Sequence, residues 1–266
     1  MREGQCRTAG FGCDPLGRAK FPARDNRPMS LRLYLPVEPE EGVRLILPPG
    51  PARHVQVRRL QPGDGVVLFD GSGRQWEARI ESIGRSEVAV RPGPAREVDR
   101  ELGVAVTLAL GVPANERMDW LVEKATELGV ARILPLVCER SVLRLEGERG
   151  QRRREHWQAV AVAAAEQCGR TRVPVVEPLQ PLAQGLAAAD HGCARWVLSL
   201  SDDATAPAWA GLPAAGVVLL SGPEGGLSAA EEQAARAAGY RPVSLGPRVL
   251  RAETAPLAVL ARLSLP

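Results

Sequence analysis

The part of the 266-residue chain after about residue 104 alternates short apolar runs with helical patterns, and this alternation constrains the fold most strongly. Apolar runs at 104–110 and 217–220 have the length and composition of buried strands. Apolar residues follow helical spacing over 118–128, and Ser228 with Glu231 forms a capping box that begins a later helix. Strands that alternate with helices predict an α/β domain, with a mostly parallel sheet covered by helices on both faces.

The preceding residues carry the pattern of a small all-β unit. Residues 31–35 alternate apolar with polar side chains, and the apolar run at 66–69 leads into the turn Asp70-Gly71-Ser72-Gly73. Many short strands within about 60 residues predict a small β-barrel, with one short helix over 54–60. Residues 91–101 are rich in proline, glycine and charge and predict a linker. We therefore expect one domain at 29–95 and a second at 102–266.

Residues 1–28 differ from the rest of the chain. They are rich in Gly, Pro, Arg and Asp and show no periodicity, which is typical of disorder. We expect a disordered or non-native leader, with Met29 as the biological start. This segment contains six basic and three acidic residues, so it accounts for the whole net charge of +3. The formal charge of residues 29–266 is therefore zero, and total charge does not indicate an anionic partner.

Composition excludes several classes of function. The five cysteines form no C-x-x-C pair and follow no secretory signal, so we expect a cytoplasmic protein. The three histidines are not spaced as zinc ligands, so we expect no metal. No uninterrupted apolar run approaches 18 residues, so we expect no membrane association.

Two loops are the strongest candidates for a binding site. The segment Gly222-Pro-Glu-Gly-Gly-Leu-Ser follows one predicted strand, and Leu245-Gly-Pro-Arg-Val-Leu-Arg-Ala-Glu-Thr-Ala follows another. Ligands of parallel α/β sheets bind at the carboxyl ends of strands, where such loops lie. The first segment is neither a dinucleotide-binding nor a P-loop pattern. A tight glycine turn and a solvated charge cluster would explain the two segments equally well without a function.

The two segments together resemble the signature of the 16S ribosomal RNA uridine-N3 methyltransferases, the RsmE family of SPOUT (α/β-knot) methyltransferases. Further segments match the family in the same order, and the resemblance extends over about residues 29–263. These segments are 32–34, 54–60, 68–71, 117–119, 123–130, 135–141, 164–170 and 173–174.

The resemblance implies a fold, a reaction and partners. The first domain would be a PUA-like RNA-binding β-barrel, and the second a SPOUT α/β domain with a deep trefoil knot. The knot loops would hold S-adenosyl-L-methionine, and the chain would form a homodimer. The reaction would be methylation of uridine N3 in 16S rRNA within the small ribosomal subunit.

The resemblance and the loop positions also indicate site residues. We expect Arg251 to stabilise the uridine anion, and Glu253 to accept the proton or to orient Arg251. Glu224 is a further candidate, facing the sulfonium charge. The predicted cofactor-binding residues are Leu200, Ser221, Gly222, Pro223, Glu224, Gly225, Gly226, Leu245, Gly246, Arg248, Val249, Leu250 and Thr254. The predicted RNA contacts are Arg32, Arg53, Arg58, Arg59, Arg140 and Arg170.

Two other functions are consistent with the same residues. One is a non-catalytic RNA-binding or ribosome-assembly factor that keeps the barrel and a degenerate knot. The other is a related SPOUT methyltransferase that acts on another RNA base. Intact donor-loop motifs favour an enzyme, because a protein that only binds RNA has no need of a methyl-donor pocket.

Overall fold

The computed structural model describes residues 30–85, 87–114, 116–141, 147–187 and 192–265. The predicted leader, Met29, Cys6, Cys13 and His191 lie outside these ranges. The described residues form a sheet domain followed by a larger α/β domain, as the sequence predicts. None of the described helices is both long and apolar enough to span a bilayer.

The first domain is a five-stranded sheet with one helix. Its strands are β1 (Leu31–Tyr34), β2 (Leu45–Ile46), β3 (Gly65–Phe69), β4 (Arg74–Ile83) and β5 (Val88–Glu97), and its helix is α1 (Pro49–Val57). The strand order is β1-β3-β4-β5-β2, with β1 parallel to β3 and the other pairs antiparallel. Pairing among the described residues thus leaves β1 and β2 at the edges of the sheet that the sequence predicts as a small β-barrel. Buried Leu33, Leu68, Trp76 and Ile80 form its core.

Two predicted boundaries in this domain are wrong. Residues 91–97, predicted as linker, continue β5 opposite β4 as far as Glu97. The strand accommodates Pro92 because the β4–β5 register shifts between Trp76 and Ala78, next to the Ala78–Pro92 pair. Helix α1 begins at Pro49, five residues before the predicted start, since proline suits a first turn that needs no N–H donor.

The second domain is a parallel sheet with helices between its strands. Its elements are β6 (Val106–Gly111), α2 (Glu116–Glu127), β7 (Arg132–Val137), α3 (Gly147–Cys168), β8 (Val175–Val176), β9 (Gln180–Pro181), α4 (Leu182–Ala187), β10 (Ala194–Leu198), β11 (Val217–Ser221), α5 (Ala229–Ala237), β12 (Arg241–Val243) and α6 (Thr254–Ser264). The order is β12-β10-β11-β6-β7-β8, and β9 also pairs with β7. All these pairings are parallel, as the alternation predicts.

Helices cover both faces of this sheet, which confirms the predicted layering. Successive strand residues point to opposite faces, so Leu219 and Leu220 of β11 belong to two separate apolar clusters. Helices α2, α3 and α6 supply Met118, Trp157 and Leu260 to the first cluster. Helices α4 and α5 contribute to the second cluster.

Arg170 lies in the interior between α2 and the segment that enters this domain. Its side chain is 5% exposed and pairs with the Glu101 carboxylate. The Nη1 atom also donates to the carbonyl oxygens of Thr126 (2.9 Å) and Val130 (3.0 Å). The predicted RNA contact by Arg170 therefore conflicts with its position, because the guanidinium group is buried and fully engaged.

We expect Arg170→Met to lower the free energy of unfolding by about 3–5 kcal/mol, because it leaves Glu101 and two carbonyl oxygens without their partner. Urea unfolding of the whole chain measures this loss. Arg153→Met, at an exposed position of α3, is the matched control and should change stability by less than about 0.5 kcal/mol. Equal effects of the two substitutions would contradict this assignment.

Candidate active site at the ends of three parallel strands

The carboxyl ends of β10, β11 and β12 meet at one edge of the parallel sheet and open into a cavity of about 700 Å³. Three loops line it: residues 199–200 after β10, residues 222–227 after β11, and residues 245–252 after β12. Parallel strands bring these loops together, because their carboxyl ends share one edge. The volume is within the range of small-molecule sites.

The 222–227 loop, called here the glycine loop, has a conformation that requires its glycines. A Cβ atom on Gly222 would lie 2.7 Å from the Leu227 nitrogen and 2.9 Å from the Gly226 carbonyl carbon. Both obstacles are backbone atoms, so no side chain fits. Gly226 has a φ of +69°, and its N–H donates to the Pro223 oxygen (2.8 Å) to close the turn.

The glycine loop rests directly on the end of β6. A Cβ atom on Gly111 would lie 2.5 Å from the Pro223 Cδ atom and 3.0 Å from the Cys138 Sγ atom. Cys138 is buried, and burial raises the pKa of its thiol to about 12, so it remains a neutral thiol in the core. The close contact fixes the height of the glycine loop above the sheet.

Glu224 attaches the glycine loop to the start of α2. Its Oε1 atom accepts from the Ala114 N–H (2.8 Å) and from Arg117 Nη1 (3.1 Å). The sequence offered Glu224 as a counter-charge to a sulfonium ion. In the structure its side chain lines the cavity, but its charge is already compensated by Arg117.

Arg140 braces the glycine loop from the side of β7. Its Nη1 atom donates to the carbonyl oxygens of Gly225 (2.9 Å) and Leu227 (3.3 Å). A Cβ atom on Gly225 would come within 3.1 Å of the Arg140 Cβ atom, so the two residues are in close contact. The sequence predicted Arg140 as an RNA contact, whereas the structure shows its guanidinium group bound to the loop backbone.

A polar network after β10, which the sequence did not indicate, holds the third wall. Ser199 Oγ donates to Glu232 Oε1 (2.7 Å), and Arg236 Nη2 donates to the same oxygen (2.9 Å). Arg236 also binds both oxygens of Asp203, and these hydrogen bonds hold the Asp203 pKa well below its ordinary value. The spacing of Glu232 and Arg236, four residues apart in α5, places both side chains on one face of the helix. Ser199 and Asp203 are distant in sequence and reach this helix face only in the folded chain.

The loop after β12 presents two cations to the cavity. Arg248 and Arg251 line the wall and are exposed, and neither has a carboxylate partner among the described residues. Glu253 lies behind them at 8% exposure, outside the wall, and its Oε2 atom has no hydrogen-bond partner in the described part of the chain. Thr254 begins α6 and also lies outside the wall.

The cavity therefore brings together Arg251 and every predicted cofactor-binding residue except Thr254. The predicted RNA contacts are divided between two environments. Arg53, Arg58 and Arg59 are exposed on α1 and at its end. Arg32 is half-buried between the domains, where burial and the like charge of Arg100 lower its pKa to about 10. Arg32 therefore stays charged, but it packs within the protein, over the Phe69 ring.

Comparison with protein families assigns both domains. A family model described as the RNA methyltransferase domain matches residues 100–264, and one described as the RNA methyltransferase PUA domain matches residues 52–93. A protein of Bacillus subtilis named ribosomal RNA small subunit methyltransferase E is 31% identical over 79% of this chain and 85% of its own. A Synechocystis protein of the same name is 33% identical over 79% of this chain and 68% of its own.

Solved structures similar to this chain are also methyltransferases. A ribosomal RNA small subunit methyltransferase E from Neisseria gonorrhoeae, bound to S-adenosyl methionine, has a TM-score of 0.83 at 35% identity, covering 87% of this chain and 96% of its own. A putative methyltransferase from Legionella pneumophila, in complex with the same molecule, has a TM-score of 0.80 at 34% identity, covering 88% and 96%.

We expect Arg140→Ala to loosen the glycine loop, because two carbonyl oxygens lose a charged donor. Amide hydrogen exchange in peptides that cover residues 222–227 should become about fivefold to tenfold faster, as measured by mass spectrometry. Arg152→Ala removes an exposed arginine whose one ion-pair partner in the described part of the chain is Glu148, and it is the control. Unchanged exchange in the loop of Arg140→Ala would show that the arginine does not brace it.

Proposed function

The chain belongs to the family of ribosomal RNA small subunit methyltransferase E proteins, and from this premise we propose that it methylates N3 of a uridine in 16S rRNA, with S-adenosyl-L-methionine as methyl donor. The observation that carries the proposal is the cavity at the strand ends. The glycine loop lines it, and the loop after β12 presents Arg248 and Arg251 to it without carboxylate partners among the described residues.

The residues of the cavity fit the methyl donor. The two similar structures with that molecule bound come from proteins at 34–35% identity to this chain. Here Gly226 has open space where a Cβ atom would lie, so the backbone of the loop can approach a ligand closely at that position. The glycine loop and residues 245–250 would hold the donor, and Leu200 would contact it from the loop after β10. When bound, the donor supplies an electrophilic methyl group.

The protein's own task is to prepare the uridine. N3 carries a proton and becomes a nucleophile only when that proton leaves, so negative charge develops on O2 and O4. Arg251 would stabilise that charge, because it reaches the cavity and its own charge is not neutralised by a carboxylate of the described chain. The N3 proton would pass to water in the cavity, and the N3–methyl bond would then form as the donor's methyl–sulfur bond breaks, with the electron pair of that bond staying on sulfur.

Two roles are expected for Glu253, to accept the N3 proton or to orient Arg251. The burial of its side chain favours the second role. A general base must reach the proton that it removes, and the Glu253 carboxylate lies outside the cavity wall. It sits two residues after Arg251, at the start of α6. From that position we propose that it holds the turn that presents Arg251.

RNA would be held by the α1 side of the first domain. Arg53, Arg58 and Arg59 have no carboxylate partner among the described residues. In contrast, Arg91 and Arg96 on β5 are paired with Glu81 and Glu77 across the sheet. Phosphate binding requires cations that are not already neutralised, so it is the arginines of α1 that would contact the RNA backbone.

Several finer features belong to the same proposal. We propose domain boundaries near residues 29–95 and 102–266, a deep trefoil knot in the second domain, a homodimer and a cytoplasmic location. The resemblance of the two loop motifs to SPOUT enzymes supports the knot. Exposed apolar side chains at the cavity rim, Leu200 and Val249, support a second copy that covers them.

Two measurements test the proposal against a protein that only binds RNA. Calorimetry should detect S-adenosylmethionine binding to the purified chain. Incubation with small subunits from a strain that lacks this protein should produce 3-methyluridine in 16S rRNA, located by mass mapping of RNA fragments. Absence of donor binding would favour a non-catalytic factor, and methylation of another base would favour a different substrate.

We expect Arg251→Ala to reduce turnover about 10²-fold to 10³-fold, because the developing uridine anion loses its cation. Donor affinity, measured by calorimetry, should remain within about threefold, a change below 1 kcal/mol. Arg96→Ala, which removes an exposed arginine of β5 that pairs with Glu77 and does not line the cavity, should methylate at the wild-type rate. Near-normal turnover by Arg251→Ala would refute its role.

A further inference from the structure

One carboxylate of the second domain reaches into the first. Glu166 lies near the end of α3, and its side chain is only 14% exposed. Its Oε1 atom accepts from the backbone N–H of Tyr34 in β1 (2.9 Å). Its Oε2 atom lies 3.6 Å from Nδ1 of His54 in α1. A single side chain thus contacts both an edge strand and the helix of the first domain.

The contact is the centre of a polar joint between the domains. The carbonyl oxygen of Arg170 accepts from Arg32 Nη2 (3.2 Å), and the carbonyl oxygen of Thr171 accepts from the Gly73 N–H (3.3 Å). The Thr171 hydroxyl donates to the Val98 oxygen (2.6 Å). Arg170 is itself fixed inside the second domain, so the joint continues into that domain's interior.

Glu166 differs from the other contacts because it is a side chain that satisfies a backbone donor across the joint. Without it, the part-buried Tyr34 N–H would lose the acceptor it has in the described chain, and an unpaired donor shielded from water is costly. Burial raises the Glu166 pKa, opposed by the Tyr34 hydrogen bond and by the charges of His54 and Arg32. The carboxylate is therefore held by specific partners in a site that disfavours its charge.

The joint has a consequence for substrate placement. His54 belongs to the helix that carries Arg53 and is followed by Arg58 and Arg59, the proposed RNA contacts. We propose that Glu166 is a positioning residue, which sets the orientation of α1 relative to the cavity so that RNA bound to the first domain presents its uridine to Arg251. This inference rests on the proposed function and adds a determinant of RNA placement outside the cavity.

The test compares Glu166→Ala and Glu166→Gln in the full chain, with Glu155→Ala on an exposed turn of the same helix as control. Glutamine keeps an oxygen acceptor for the Tyr34 N–H, whereas alanine removes it. Three quantities are measured: S-adenosylmethionine affinity by calorimetry, KM and kcat for methylation of small subunits, and exchange of the Tyr34 amide by NMR.

We expect Glu166→Ala to raise KM for the subunit and to accelerate Tyr34 exchange, each about tenfold, the effect of losing a hydrogen bond to a charged group. Donor affinity should remain within about twofold, because Glu166 does not line the cavity and its partners, Tyr34 and His54, lie in the first domain. Glu166→Gln should recover most of the KM, and Glu155→Ala should match the wild type.

Three outcomes would overturn the assignment: an unchanged KM in Glu166→Ala, an equal loss of donor affinity, or no recovery in Glu166→Gln. An equal loss of donor affinity would mean that the residue supports folding in general. Failure of the proposed function is distinct, since it would appear in the wild-type protein as an absence of methylation. Tyr34 exchange would still report on the joint in that case.

Discussion

The close contact between Gly111 at the end of β6 and Pro223 in the glycine loop is the constraint on which the candidate site depends. A Cβ atom at Gly111 would clash with the Pro223 ring, because it would lie only 2.5 Å from the Cδ atom of the proline. With the loop seated there, Glu224 reaches the start of α2 and Arg140 reaches the loop carbonyls. Strand ends, helix start and loop are thereby fixed relative to one another, as a preorganised binding site requires.

The distribution of charge separates structural arginines from those available to a ligand. Arg170 and Arg236 have their guanidinium groups bound to carboxylates inside the protein or along its surface. Arg248 and Arg251 line the cavity without such partners among the described residues. In a chain whose net charge beyond the first 28 residues is zero, this local difference, and not total charge, identifies the arginines whose charge is not neutralised within the described chain.

Periodicity predicted those elements that have a distinct apolar face. The capping box of Ser228 and Glu231 forms as predicted, and Glu231 also accepts from the Glu139 N–H (2.7 Å). Helix α3 begins at Gly147, and its first turns are mostly polar and exposed, so they carry no periodic signal in the sequence. The two-residue strand β9 and the short helix α4 are held by pairing and packing against β7, which no local pattern reveals.

The parallel α/β sheet, the two loops at its edge and the family can be predicted from the sequence, because they depend on local patterns and on motifs whose residues are close along the chain. Which charged residues face the cavity depends on how the chain packs. Arg170 and Arg140 are of a residue type that commonly contacts RNA. In the structure, however, Arg170 is buried against Glu101, and Arg140 is bound to the glycine loop. Glu166 and Ser199 acquire their contacts only when residues far apart in sequence meet. The burial of a side chain and the identity of its hydrogen-bond and ion-pair partners depend on how the whole chain packs, and the residue type alone does not specify them.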